Sequence, residues 1–159
     1  MKRYIASELL VVWCLTTLAS TASADIRLPA IVGDNMILQQ QTGAPLWGWA
    51  DPGEEVTIAG SWGKESSTAA DNKGKWQLRL DTPSHGGPYT LKIKGKNEIT
   101  VTNVIIGEVW LCAGQSNMGW RLGATFHGPE DSASANYPNF RIFRSERCHS
   151  HQPQQDCTA

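Results

Sequence analysis

With 159 residues, 14 basic and 15 acidic side chains and a formal net charge of −1, the chain has room for one domain, or for a small domain and part of another. No basic patch or lysine run is present, which excludes nucleic acid as an expected partner. The cysteine and histidine spacings match no common zinc arrangement, so no metal and no cofactor is expected.

The first 24 residues read as a secretory leader. Lys2 and Arg3 open it, "LLVVWCLTTLA" (9–19) forms an apolar core, and "ASA" (22–24) places small residues where a signal peptidase reads, predicting cleavage before Asp25. The apolar core is shorter than the roughly 20 residues that span a bilayer. Cys14 follows Trp13 rather than a small residue, which argues against lipid attachment, while Glu8 is out of character for a leader. Export, to the medium or a periplasm, is the expectation. Nothing after residue 24 is apolar enough to cross a membrane as a helix, so no membrane partner is expected.

From residue 30 to 103 strands recur about every ten residues: "APLWGWA" (44–50), "EVTIAGSW" (55–62), "GKWQLRLD" (74–81), "PYTLKIKG" (88–95) and "NEITVTN" (97–103). Turn signals separate them, among them "DPGE", "DNKG", "SHGG" and "KGKN". Trp76, Leu78 and Leu80 share one face of their strand and Lys75, Gln77 and Arg79 the other. Tyr89, Leu91 and Ile93 alternate with Thr90, Lys92 and Lys94 in the same way. One apolar and one polar face per strand predicts an antiparallel β-sandwich over residues 25–103. Trp47 and Trp49, two apart, must share a face. They are expected to fill the core with Trp62 and Trp76; exposed, they would instead suit stacking on sugar rings.

At residue 104 the texture changes. "VIIGEVWLCAG" (104–114) is almost continuously apolar, as in a strand buried on both faces of a parallel sheet, and Cys112 within it reads as a small buried hydrophobe. A turn and the possible start of a helix follow, then a loop-like stretch, "GPEDSASANYPN" (128–139), and one short candidate strand, "FRIF" (140–143). Cys148 and Cys157 are free to pair in an oxidising compartment. Residues 104–159 thus read as the first strand–turn–helix of an α/β domain that is not completed.

Ser116 stands at the turn, in "GQSNM" (114–118). A serine hydroxyl needs a base to take its proton, and the oxyanion formed by its attack needs fixed donors. A tight turn out of a buried strand offers free backbone N–H groups beside the hydroxyl. Gly114 lets such a turn close, and Gln115 and Asn117 bring amide groups near it. The pattern is not G-x-S-x-G, because Met118 replaces the second glycine, and a plain helix cap is the alternative reading of the bare motif.

"GEVWLCAGQSNM" (107–118) closely resembles the first sequence block of the SGNH (GDSL-like) hydrolases, in particular the sialate O-acetylesterase group of exported carbohydrate esterases. "GDNMILQQ" (33–40), "PLWGWADPGEEVTI" (45–58), "GKWQLRL" (74–80) and "GGPYTLKI" (86–93) resemble, in order, the β-rich segment that precedes that block, and "QPQQDC" (152–157) resembles a stretch after it. The resemblance implies removal of O-acetyl groups from sugars through an acyl-enzyme on Ser116, whose own N–H is one oxyanion donor. Gln115 and Asn117 become candidate substrate contacts. It also implies a histidine base and an aspartate in a D-x-x-H block.

No D-x-x-H occurs in this sequence. Of the four histidines, His85 lies in the "SHGG" turn, His127 in a loop, and His149 and His151 in the tail, where Glu146 precedes His149 by three residues. Neither Glu146 with His149, nor a metal set drawn from Cys148, His149, His151, Asp156 and Cys157, has an evident scaffold. The chain is therefore expected to be the N-terminal part of a longer esterase, inactive alone, with residues 104–159 poorly ordered or sticky where the missing sheet should cover them. The rival expectation is a non-catalytic carbohydrate-binding β-sandwich.

Overall fold

The computed structural model describes residues 25–146 and 149–157. The leader and Cys148, with any pairing of that cysteine, lie outside the described residues. The described chain is mostly β, with one short helix. Its strands are β1 (Ile37–Gln39), β2 (Gly43–Trp49), β3 (Glu55–Gly60), β4 (Lys64–Ala69), β5 (Lys75–Asp81), β6 (Gly86–Lys94) and β7 (Glu98–Gly107). Five form one sheet in the order β1-β7-β6-β3-β4, and β2 pairs with β5 in a second.

The alternation read from sequence sets the inner faces. Leu46 and Ala44 of β2 and Trp76, Leu78 and Leu80 of β5 are buried. So are Val56 and Ile58 of β3, Leu91 and Ile93 of β6 and Val101 of β7, and together they form one apolar cluster between the sheets. Burying these chains is the main force holding the two sheets together.

β7 shows how one residue keeps the pattern in phase. Val101 faces the core, Thr102 and Asn103 both face outward, and Val104 and Ile106 face the core again. Asn103 has a positive φ of 55°, a conformation asparagine adopts more readily than most residues. Strict alternation would have turned Val104 and Ile106 to solvent; the extra outward residue returns them to the interior. β7 consequently runs to Gly107, past the change of texture at residue 104.

Two strands carry too little apolar pattern to be read from sequence. β4, "KESSTA", is an edge strand whose side chains are exposed or partly so, and polar edges resist pairing with other chains. β1 has three residues and pairs in parallel with β7, Ile37 opposite Ile105 and Leu38 opposite Ile106. The large sheet is therefore mixed rather than wholly antiparallel.

The tryptophans divide. Trp76 is buried, and Trp62 packs at the core margin, edge-on to Tyr89 and donating its indole N–H to the Asp81 carbonyl at 2.8 Å. Trp47 and Trp49 do not fill the core. Because Leu46 and Gly48 take the inner positions of β2, their neighbours Trp47 and Trp49 are half-buried on its outer face, opposite Gln77 and Lys75.

Candidate active site

Past Gly107 the chain leaves the sheet. Glu108–Gly114 forms no strand: Val109 is half-exposed, Trp110 is 81% and Leu111 93% exposed, and Cys112 is an exposed free thiol. The expected strand buried on both faces is absent here because no described element lies beside it to bury it. Apolar texture states what a segment prefers to touch; here those contacts are lacking. Met118, Trp120, Leu122, Phe126, Tyr137, Phe140 and Ile142 are likewise more than half exposed. "FRIF" forms no strand, and the stretch read as loop instead carries helix α1 (Gly128–Ser134). Proline in its first turn and Glu130 and Asp131 beside it suit a helix N-terminus.

Three polar attachments hold this segment to the β unit. At its start the Glu108 carboxylate accepts hydrogen bonds from the side-chain amides of Gln40 (2.7 Å) and Gln39 (3.1 Å), and the Val109 N–H donates to the Gln39 side-chain oxygen (2.9 Å). Further on, Arg141 donates to the Asn35 carbonyl and the Asn103 side chain, both at 3.2 Å. Near the end Asp156 accepts from the Ala30 N–H at 2.9 Å and meets the Arg27 guanidinium at 3.4 Å.

The hydrogen bonds from Gln40 and then Gln39 hold the Glu108 carboxyl below its ordinary value of 4.5. A depressed folded value means that the anion is bound more tightly in the attached state. The stabilisation is present above 4.5 and is lost as the pH falls through the lower folded value. Acidification below 4.5 should therefore loosen the start of the segment before the core unfolds, and Glu108→Gln should weaken that pH dependence. Amide exchange at Val109, followed by NMR between pH 6 and 3, measures both; equal protection throughout would disprove the coupling.

Ser116 opens a 3-10 turn (Ser116–Gly119) rather than a longer helix, and is exposed. Gln115, extended at φ −98° and ψ −152°, precedes it and accepts the Met118 N–H through its carbonyl at 3.0 Å. The first amides of such a turn have no acceptor within it, so the turn itself leaves those of Ser116 and Asn117 unpaired. Gln115 and Asn117 are exposed beside the hydroxyl. No hydrogen bond reaches the Ser116 side chain among the described residues. His85 lies in the β5–β6 turn, its backbone N–H bonded to Gln40. His127 caps α1 in a left-handed conformation, its ring edge-on to Phe126. Among the described residues no cluster of three or more His, Cys, Asp or Glu side chains could hold a metal. No described helix is long and apolar enough to cross a membrane.

No protein-family profile matches the chain. It is 36% identical in sequence to a carbohydrate acetylesterase from Xanthomonas citri, whose crystal structure superposes on 85% of this chain with a TM-score of 0.77. The sialate O-acetylesterase of Mus musculus is 29% identical over 161 residues, covering 94% of this chain, and that of Homo sapiens is 28% identical over 151, covering 87%. That of Rattus norvegicus is 31% identical over 134 residues, covering 77%. By these likenesses the chain is a relative of the carbohydrate acetylesterases. More particularly, its sequence is similar to part of the sialate O-acetylesterases. The match covers 30% of the mouse protein's length and 31% of the bacterial chain.

Proposed function

We propose that this chain carries the nucleophile block of an exported carbohydrate O-acetylesterase of the SGNH type, preceded by an accessory β-sandwich. The observation that supports it best is Ser116 at the exposed mouth of a turn, in the sequence "GQSNM", within a chain related to acetylesterases over most of its length. In the reaction, Ser116 Oγ bonds to the acetyl carbonyl carbon while a base takes its proton. The oxyanion so formed is met by the Ser116 N–H. On collapse, the bond from that carbon to the sugar oxygen breaks, and the sugar hydroxyl leaves with the proton. Water then attacks the acetyl-serine, releasing acetate and restoring the hydroxyl.

The base is the part this chain does not supply. A serine without it retains little nucleophilic activity, since loss of any member of such a triad costs several orders of magnitude. Neither the sequence, which has no D-x-x-H, nor the hydrogen bonds among the described residues provide a histidine for Ser116. The chain alone is therefore a part of a catalytic unit whose histidine and aspartate lie in further sequence. O-acetylated sugars, sialic acids among them, are its substrate class, and Gln115 and Asn117 are contacts for them.

A fluorophosphonate probe reports an activated serine. The folded chain should resist labelling. The gene product extended to include a D-x-x-H block should label, and Ser116→Ala in that longer protein should abolish both labelling and acetyl-ester hydrolysis. Labelling of the extended protein that persists in Ser116→Ala would remove Ser116 from the mechanism.

A further inference from the structure

The outer face of β2 and β5 carries a groove that the esterase reading does not use. Its volume is about 430 Å³, and Trp47, Trp49, Trp76, Lys75, Gln77 and Thr68 are among the residues lining it. That volume lies in the range of small-ligand sites and suits one or two sugar rings. Two of these indoles are on the outside for a structural reason. Leu46, Gly48 and Ala50 claim the inner positions, so Trp47 and Trp49 face outward together, half-buried, with Gln77 and Lys75 directly across the strand pair.

The chemistry of this groove is mixed in a particular way. Indole faces offer broad apolar surface, to which the C–H face of a pyranose ring is complementary. Around them stand an amide on Gln77, an ammonium on Lys75 and a hydroxyl on Thr68, groups that pair with sugar hydroxyls. The side chains of Gln77 and Lys75 make no hydrogen bond among the described residues. The Trp76 indole nitrogen, buried, has no partner among them either. Trp49 is already held: the Arg27 guanidinium lies 3.7 Å from its ring centre and is itself tied to Asp156. Among the described residues no cation or aromatic ring stacks on Trp47, which leaves it as the platform. Gln155, next to Asp156, closes one side.

We propose that this groove binds a pyranose unit of a glycan chain, stacked on Trp47 and hydrogen-bonded by Gln77 and Lys75. The site is separate from Ser116 and does not depend on the esterase reading. Aromatic surface bordered by the amide of Gln77, the hydroxyl of Thr68, the ammonium of Lys75 and the carboxylate of Asp71 matches the mixed C–H and hydroxyl surface of a sugar ring.

The test is titration of the folded full chain with cellohexaose, xylohexaose and 3′-sialyllactose, followed by tryptophan fluorescence and calorimetry. Saturable binding of at least one is expected, weakened about tenfold by Trp47→Ala through loss of the stacked ring. Gln77→Ala should weaken it by a smaller factor; Gln77 is exposed and holds nothing else, so this variant decides the matter if Trp47→Ala fails to fold. A preference for 3′-sialyllactose that Lys75→Ala removes would assign the ammonium to a sugar carboxylate. Ser116→Ala should leave the binding in place, so this proposal and the esterase reading fail separately. No saturable binding of any of the three, or binding that neither groove variant weakens, overturns the proposal.

Discussion

Leu91→Ala should destabilise the β unit by about 2–5 kcal/mol, the range for a leucine removed from a packed interior. Leu91 is 0% exposed and sits in β6 at the middle of the large sheet, between Gly60 of β3 and Val101 of β7. Its truncation removes apolar contact and leaves a cavity that the neighbouring strands cannot close, because their hydrogen-bonded register holds them apart. A loss of this size lowers the melting temperature of a domain this small by about 10 °C or more. The adjacent Lys92→Ala, on the exposed face of the same strand, should change stability by less than about 0.5 kcal/mol. Urea unfolding of the two variants beside the parent measures the difference, and similar midpoints would mean that the sheets do not share the core described here.

Gly48→Ala should cost about 1–3 kcal/mol, although alanine is the smallest side chain that could be added. A methyl group there would press on the Arg27 carbonyl oxygen and lie 2.7 Å from Cζ2 of Trp76. Neither neighbour can yield readily. The Arg27 carbonyl accepts the Trp49 N–H at 2.9 Å, and the Arg27 N–H is returned to the Trp49 carbonyl at 2.8 Å. The Trp76 ring is 2% exposed and belongs to the apolar cluster, so a shift there disturbs its packing. Relief must therefore come from displacing Arg27, which also stacks on Trp49, so the variant should weaken glycan binding together with stability. A thermal melt and a titration on one preparation read both. Wild-type stability in Gly48→Ala would show that the approach of Arg27, Gly48 and Trp76 is looser than described.

The β unit was legible because burial follows a period of two there. Trp76, Leu78, Leu80, Leu91 and Ile93 alternate with polar residues that face water, and their neighbours alone indicate the inner face. β4 escaped because an edge strand with both faces wet has no alternation to read. The parallel pairing of β1 escaped because three residues carry no directional signal, and direction is decided by where β7 already lies. Trp47 and Trp49 show a different limit. Their spacing established that they share a face, but which face is set by Leu46 and the small Gly48 between them; a rule that large aromatics go inside points the wrong way. The segment from Glu108 to Gly114 is the same problem in reverse. Its apolar run suits two buried faces, and Cys112 an interior position, yet burial depends on what stands opposite. Ser116 stands out by its motif alone, and the structure puts it, exposed, at the opening of a 3-10 turn. The D-x-x-H block that the resemblance implies for its base has no counterpart in this sequence.

The three attachments at Glu108, Arg141 and Asp156 also change the kinetics of assembly. A free tail of this length would sample a large volume and would present its apolar residues to any surface it met. Pinned at both ends and once between, the stretch instead forms two closed loops, and the conformational freedom given up in closing them is spent in folding the chain itself. Whatever polypeptide comes to cover Trp110 and Leu111 thus meets a partner already confined near one end of the β unit. Docking then resembles an intramolecular step at high local concentration more than a search between two unfolded chains. The β unit in this view acts as a template on which the segment carrying Ser116 is laid out.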